Sequence, residues 1–172
     1  MVYGDYDDGK RGSVGYYSSL TASFEGVDGL TAVKDYIGLH SDTTISGSRA
    51  GLLVKNPDNF AEILNPKAGD SFTLHNVAET KDGKKISAKF TFNSVVPEWV
   101  KNGKPLSSTR IFINKDNGSG SINFVYGNLV QFDTKINFFY EKTKKDAVMA
   151  LASTFNDIDW GQELHLTYQD GT

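Results

Sequence analysis

The chain of 172 residues contains no cysteine, and only four of its residues are proline. Without cysteine it has no disulfide framework, no thiol nucleophile and no thiolate metal site. No apolar run approaches the roughly 18 to 20 residues of a membrane-spanning helix. Its 18 basic residues are outnumbered by 21 acidic ones, giving a net charge of −3, so composition supplies no excess of positive charge for nucleic acid or anionic membranes. We therefore expect no nucleic-acid partner and no membrane insertion.

Apolar and polar residues alternate through most of the chain. Successive side chains of a strand point to opposite faces, so this pattern predicts strands with one dry and one wet face, as in antiparallel sheets. We count about nine or ten such strands at roughly ten-residue spacing and predict an all-β, antiparallel β-sandwich forming one domain over residues 1–172. The clearest segments are 14–24, 86–92, 130–140 and 164–168.

Turn residues separate several of these segments. Asp82-Gly83 lies between the strand around Phe72 and the strand that starts at Ile86. Gly127-Asn128 has the spacing of a hairpin between two alternating segments, and the polar run 114–120 predicts another. These connections favour neighbouring antiparallel strands.

Two segments depart from the alternation. Asn56 is a competent helix N-cap and Pro57 suits the first helical position, so we predict a short helix over 57–64. Residues 144–153 combine good helix formers with an alternating pattern, and the sequence leaves helix and edge strand open.

An acidic cluster near the start of the chain is the candidate metal site. Asp5, Asp7 and Asp8 precede Gly9, and calcium prefers such closely spaced carboxylate oxygens. The alternative is an exposed acidic segment, since Gly9 occupies the third alternating ligand position. The three histidines, His40, His75 and His165, lack the short spacing of a zinc site, and we expect no metal or catalytic role for them.

The two tryptophans mark candidate ligand contacts. Trp99 precedes a loop that contains Asn102, and an exposed indole there would stack on the apolar face of a sugar. Trp160 lies among Asp157, Asp159 and Glu163, and carboxylates beside an aromatic platform are typical of glycoside-cleaving sites. The alternatives are that the tryptophans pack in the core or at its edge and that the carboxylates flank a turn.

A covalent crosslink is a further hypothesis. Lysine and asparagine form an amide when they meet in a dry core beside an acid, because burial promotes loss of the lysine proton. Lys34 and Asn156 are placed to join the first and last strands, whereas the alternative is a solvated Lys34.

Five segments from about Ser71 onward carry a resemblance to a known family: 72–76, 82–87, 114–120, 133–140 and 150–159. This part of the chain resembles the adhesin domain shared by streptococcal glucan-binding protein C and the variable region of antigen I/II adhesins. The resemblance implies a β-sandwich within a longer, wall-anchored, extracellular Gram-positive protein of adhesion and biofilm formation. Such a protein would bind glucans, host glycoproteins or matrix polymers.

The sequence thus favours a monomeric, non-enzymatic carbohydrate- or glycoprotein-binding module. One alternative is a structural stalk domain with the Lys34–Asn156 crosslink, and another is a jelly-roll enzyme acting on glycosides. The expected ligand contacts are Trp99, Asn102, Asp159 and Trp160, with Asp5, Asp7 and Asp8 as ligands if calcium binds.

Overall fold

The computed structural model describes part of the chain in full and part as strand backbone only. Side chains are described for residues 31, 33–97, 108–127, 129 and 131–149. The backbone is also described at 2–3, 17–21, 100–101, 104–105, 130 and 152–156. Every structural statement below concerns these residues.

All regular structure in the described residues is β. The strands are β1 (Val2–Tyr3), β2 (Tyr17–Thr21), β3 (Thr44–Gly47), β4 (Leu53–Val54), β5 (Ala61–Leu64), β6 (Ser71–Glu79), β7 (Lys85–Pro97), β8 (Val100–Lys101), β9 (Lys104–Pro105), β10 (Arg110–Lys115), β11 (Ile122–Gly127), β12 (Leu129–Tyr140) and β13 (Ala152–Asn156). The described residues include no helix that is long and apolar enough to cross a membrane.

Eight of these strands build two antiparallel sheets of four. The first has the order β12-β7-β6-β3 and the second β11-β10-β5-β4, with every neighbouring pair antiparallel. The predicted nine or ten strands are therefore the wrong number for these two sheets. Elsewhere in the described backbone, β1 lies beside β12, β2 and β13 extend the second sheet beyond β11, and β8 pairs with β9.

The inner faces of the two sheets meet in one aromatic core. Phe90 of the first sheet stacks on Phe72 at 4.7 Å between ring centroids and contacts Phe124 of the second sheet at 5.3 Å. Tyr126 and Phe132 make a similar contact at 4.8 Å. The all-β, two-sheet prediction is confirmed and is consistent with a β-sandwich.

The predicted turns have two different outcomes. Asp82-Gly83 does connect β6 to β7, with Gly83 at a φ of 87° that suits glycine, and residues 116–121 connect β10 to β11. The predicted hairpin at Gly127-Asn128 is wrong, because β11 belongs to the second sheet and β12 to the first. The chain crosses between sheets there, and buried Leu129 follows the crossing.

The predicted helix over 57–64 is also wrong. Asn56 Oδ1 accepts a hydrogen bond from the Asp58 amide at 3.0 Å, so the capping interaction forms but closes only a turn. Residues 61–64 then form β5 between β4 and β10, with Ala61 and Ile63 facing the core. Pairing on both sides outweighs the local helical preference.

The ambiguous segment 144–153 contains no helix in its described part. Residues 144–149 are irregular apart from an isolated bridge between Asp146 and Phe139, and β13 begins at Ala152. Within segment 144–153, the edge-strand alternative therefore holds only for Ala152 and Ser153, which begin β13.

Candidate functional site

All side chains expected to contact a ligand or a calcium ion lie outside the described residues. This applies to the tryptophan sites, to the acids beside Trp160 and to the acidic cluster near the start of the chain. These predictions stay predictions. The residues concerned are Trp99, Asn102, Asp157, Asp159, Trp160, Glu163, Asp5, Asp7 and Asp8.

The proposed crosslink is described at one end only. Lys34 is exposed, and its backbone amide donates to the Glu79 carbonyl at 2.7 Å. Asn156 ends β13 opposite Tyr17, but its side chain lies outside the described residues. The Lys34–Asn156 amide therefore stays a prediction.

A β-bulge in β6 organises the described polar residues. The register with β7 runs from Leu74 opposite Ala88 to Ala78 opposite Ile86, so β6 carries two extra residues in this interval. Within it, Asn76 adopts a left-handed φ of 58°, and its amide donates to Ser87 Oγ at 3.0 Å. Bulges re-aim side chains and are frequent beside functional sites.

A polar cleft opens on one side of this bulge. Segment 35–42 forms one wall, and the ends of β6 and β7 form the other, enclosing about 210 Å³. We call it the bulge cleft. The wall is held against β6 by a hydrogen bond from the Gly38 amide to the Val77 carbonyl at 2.9 Å, which gives the cleft a fixed backbone frame.

Charged side chains converge at one end of the bulge cleft. Lys85 Nζ lies 2.7 Å from Glu79 Oε2 and 3.1 Å from Asp42 Oδ2. The Lys85 hydrogen bond lowers the pKa of Glu79, and the same bond, together with that to Asp42, raises the pKa of Lys85. Both shifts favour the charged forms of Glu79 and Lys85, which offer a strong acceptor and a strong donor in the bulge cleft.

An aromatic pair also lines the bulge cleft. Tyr36 and His40 stack with 4.7 Å between ring centroids, and His40 Nε2 lies 3.2 Å from the Tyr36 carbonyl oxygen. The Tyr36 ring also packs so closely on Gly120 that a Cβ there would lie 2.6 Å from its Oη. Gly120 thus permits a fixed ring position.

Asn76 connects the bulge to the cleft. Its Nδ2 donates to the Asp42 carbonyl at 3.3 Å, whereas its Oδ1 is buried without a hydrogen-bond partner among the described residues. A buried acceptor without a donor costs free energy. The amide therefore retains unused hydrogen-bonding capacity beside the cleft.

The described residues contain no cluster of three or more histidine and acidic side chains arranged to hold a metal ion. In the polar run 114–118, Asp116 Oδ2 instead accepts hydrogen bonds from the Ser119 amide at 2.8 Å and from Ser119 Oγ at 2.6 Å. The calcium prediction for the first acidic cluster is untested by these observations.

A second constellation lies on the outer face of the first sheet. His75 Nδ1 is 3.1 Å from Glu141 Oε2, and His75 Nε2 is 2.7 Å from Ser46 Oγ. Fully buried Ser87 donates to Glu141 Oε2, and Lys144 Nζ donates to Oε1 at 2.8 Å. Burial alone would raise the pKa of Glu141, but the bonds from Lys144, Ser87 and His75 outweigh it and lower the pKa to about 2.

This arrangement predicts acid sensitivity. Because the folded pKa of Glu141 lies near 2 and its ordinary value is 4.5, its stabilising contribution is complete above pH 4.5 and is lost as pH falls toward 2. Urea midpoints measured across that range should fall less steeply for Glu141→Gln than for the wild type. Equal slopes would contradict the assignment.

No role is expected for His40 or His75 from the sequence, yet His40 lines the bulge cleft and His75 belongs to the second constellation. Sequence spacing does not reveal the second constellation, because Ser46 and Glu141 lie 29 and 66 residues from His75. Only the bulge in β6 and the pairing of distant strands bring these groups together.

Compared with family models, curated proteins and solved structures, the chain matches none. The adhesin resemblance therefore stays a prediction.

Proposed function

We propose that the chain is a surface adhesion module that binds carbohydrate in the bulge cleft. The observation that carries this proposal is that one cleft is lined both by the ion-paired Asp42, Glu79 and Lys85 and by the stacked Tyr36–His40 pair. Sugar hydroxyls need several directional donors and acceptors, and their C–H faces favour aromatic contact. A fixed cleft meets both needs.

The charge distribution favours a hydroxyl-rich ligand over an anionic one. Asp42 and Glu79 carry two negative charges, and Lys85, the cation between them, is already bonded to both. An anionic polymer would be repelled by the acids, whereas neutral hydroxyls can donate to the free carboxylate lone pairs. Neutral glucans, or the neutral sugars of host glycoproteins, therefore fit best.

The finer parts of the proposal come from the resemblance. They are an adhesin-type β-sandwich, a position in a longer Gram-positive surface protein and anchorage to the cell wall. The polar cleft is compatible with them and supports the carbohydrate class in particular.

Binding to an array of glucans, host glycoproteins and wall polymers tests the proposal, once with calcium and once with chelator. Asp42→Ala should weaken binding about tenfold or more, because a hydrogen bond to a charged group contributes about 1.5–3 kcal/mol. Asp58→Ala is the matched control, since Asp58 is an exposed acid that does not line the cleft. Its affinity should equal that of the wild type.

Three other outcomes would contradict the assignment. Binding lost only with Trp99→Ala or Trp160→Ala would move the site to the tryptophans. Loss with chelator alone would favour the acidic cluster Asp5, Asp7 and Asp8. A blank array from folded protein would remove the binding function and favour the structural stalk.

A further inference from the structure

The second constellation has the order of groups found in a hydrolytic serine site. Ser46 Oγ, the two ring nitrogens of His75 and the carboxylate of Glu141 form one continuous hydrogen-bonded chain, with links of 2.7 and 3.1 Å. These lengths lie within the reach required between nucleophile, base and orienting acid. The three groups come from β3, β6 and the residue following β12.

The ionised acid fixes the histidine tautomer. A carboxylate is an acceptor only, so the hydrogen bond to Glu141 requires a proton on His75 Nδ1. In the neutral ring, Nε2 is then the acceptor, and Ser46 Oγ donates to it. This is the polarity that a general base needs to remove the serine proton.

Surrounding contacts hold the carboxylate in place. Ser87, which has no exposed surface, donates to Glu141 Oε2, and its own Oγ accepts the Asn76 amide at 3.0 Å. Lys144 donates to the other oxygen. Ser87, Lys144 and His75 thus orient Glu141. Ser46, at the other end of the hydrogen-bonded chain, is exposed.

The edge position of β3 supplies a candidate oxyanion donor. The Ser48 amide donates to the Ser71 carbonyl of β6 at 2.8 Å. Because amides alternate in direction along an antiparallel strand, the Gly47 amide points away from β6. No described strand pairs with β3 on that side, so among the described residues the Gly47 amide, which follows Ser46, has no strand partner.

We propose that Ser46, His75 and Glu141 form a site that hydrolyses short-chain acyl esters. Ser46 Oγ bonds to the ester carbonyl carbon while its proton passes to His75 Nε2. The carbon–oxygen bond of the ester breaks, and the departing alcohol takes that proton, leaving an acyl group on Ser46. Water then attacks the acyl carbon with His75 as base, releasing the carboxylic acid and free Ser46.

Ser46 and His75 are the catalytic residues in this assignment, and Glu141 is a positioning residue. Exposure of Ser46 on an open sheet face suits a small acyl group, which needs no deep pocket. Ester hydrolysis at Ser46 is independent of the bulge cleft. It would make the chain an enzyme, whereas the sequence favours a non-enzymatic module.

The test uses the full chain with 4-nitrophenyl acetate and a fluorophosphonate probe. Labelling should map to Ser46 by peptide mass. Ser46→Ala should abolish labelling and lower the rate of 4-nitrophenyl acetate hydrolysis, corrected for the uncatalysed rate, at least about 100-fold. Thr44→Val is the matched control, because Thr44 is an exposed hydroxyl on the same face of β3. It should hydrolyse the ester at the wild-type rate.

Glu141→Gln distinguishes a role of Glu141 in orienting His75 for catalysis from a role in stabilising the fold alone. It should lower kcat with little change in KM, because the carboxylate acts on the histidine and not on the ester. Circular dichroism confirms folding of each variant. The proposal is overturned if folded wild type leaves Ser46 unlabelled, or if Ser46→Ala hydrolyses the ester as fast as the wild type.

Discussion

Replacing Phe90 with alanine is expected to lower the free energy of unfolding by about 3–5 kcal/mol. Phe90 is only 4% exposed and contacts Phe72 within its own sheet and Phe124 across the core. Its removal leaves a cavity between two sheets whose backbones are held by their strand pairing. The sheets therefore cannot close the gap completely, and the lost contacts are not replaced.

Lys89→Ala is the control for this prediction. Lys89 precedes Phe90 in β7 but is exposed on the opposite face, so its replacement should change the free energy of unfolding by less than about 0.5 kcal/mol. Urea denaturation of both variants provides the comparison. A small loss for Phe90→Ala, similar to that of Lys89→Ala, would contradict the two-sheet core.

Arg110→Ala is expected to lower the free energy of unfolding by about 1.5–3 kcal/mol for an electrostatic reason, less than for a fully buried pair because the Arg110 side chain is 43% exposed. Glu62 is 1% exposed and accepts hydrogen bonds from Arg110 Nη1 and, at 3.1 Å, from Asn56 Nδ2. Without Arg110 the carboxylate stays buried with no cation to balance it. Desolvation is then uncompensated, which costs more than the loss of an ordinary contact.

A double replacement separates this explanation from simple loss of packing. Glu62 lies opposite Val54 on one side and Phe112 on the other, so a leucine at position 62 would have apolar neighbours. Glu62→Leu with Arg110→Met should recover most of the stability lost in Arg110→Ala, since no buried charge remains.

The surface pair of Arg49 and Asp70 is the matched control. The Arg49 guanidinium lies 3.0 Å from the Asp70 carboxylate. Arg49 and Arg110 are similarly exposed, at 37% and 43%, so the two pairs differ in the acid, which is 12% exposed in Asp70 and 1% exposed in Glu62. Arg49→Ala should cost no more than about 1 kcal/mol, because solvent screens the pair and can replace its bonds. Equal losses for Arg49→Ala and Arg110→Ala would contradict the role assigned to burial.

The sequence predicted the local features of the fold better than its connections. Alternation in β7 correctly placed Phe90 and Phe92 on the core face, and Asp82-Gly83 correctly marked a hairpin turn. Alternation specifies which face a side chain occupies, but not which strand lies beside it. This is why the connection after Gly127 was assigned to a hairpin although it crosses between sheets.

The same limit applies to the candidate sites. The two extra residues of the β6 bulge are visible only against the register of β7, which single-sequence alternation does not contain. The sequence therefore contains no local signal that His75 belongs to a site. Tyr36 and Lys85 likewise gave no local signal, since the bulge cleft forms only when segment 35–42 lies against β6.

Amide chemical-shift mapping tests carbohydrate binding in the bulge cleft most directly. Isotope-labelled protein would be titrated with the neutral oligosaccharide that binds best on the array. Our account predicts concentration-dependent shifts concentrated in residues 35–42, 76–79 and 85, and their loss in Asp42→Ala. Shifts confined to the segments around Trp99 and Trp160, or no shifts in folded protein at saturating oligosaccharide, would contradict it.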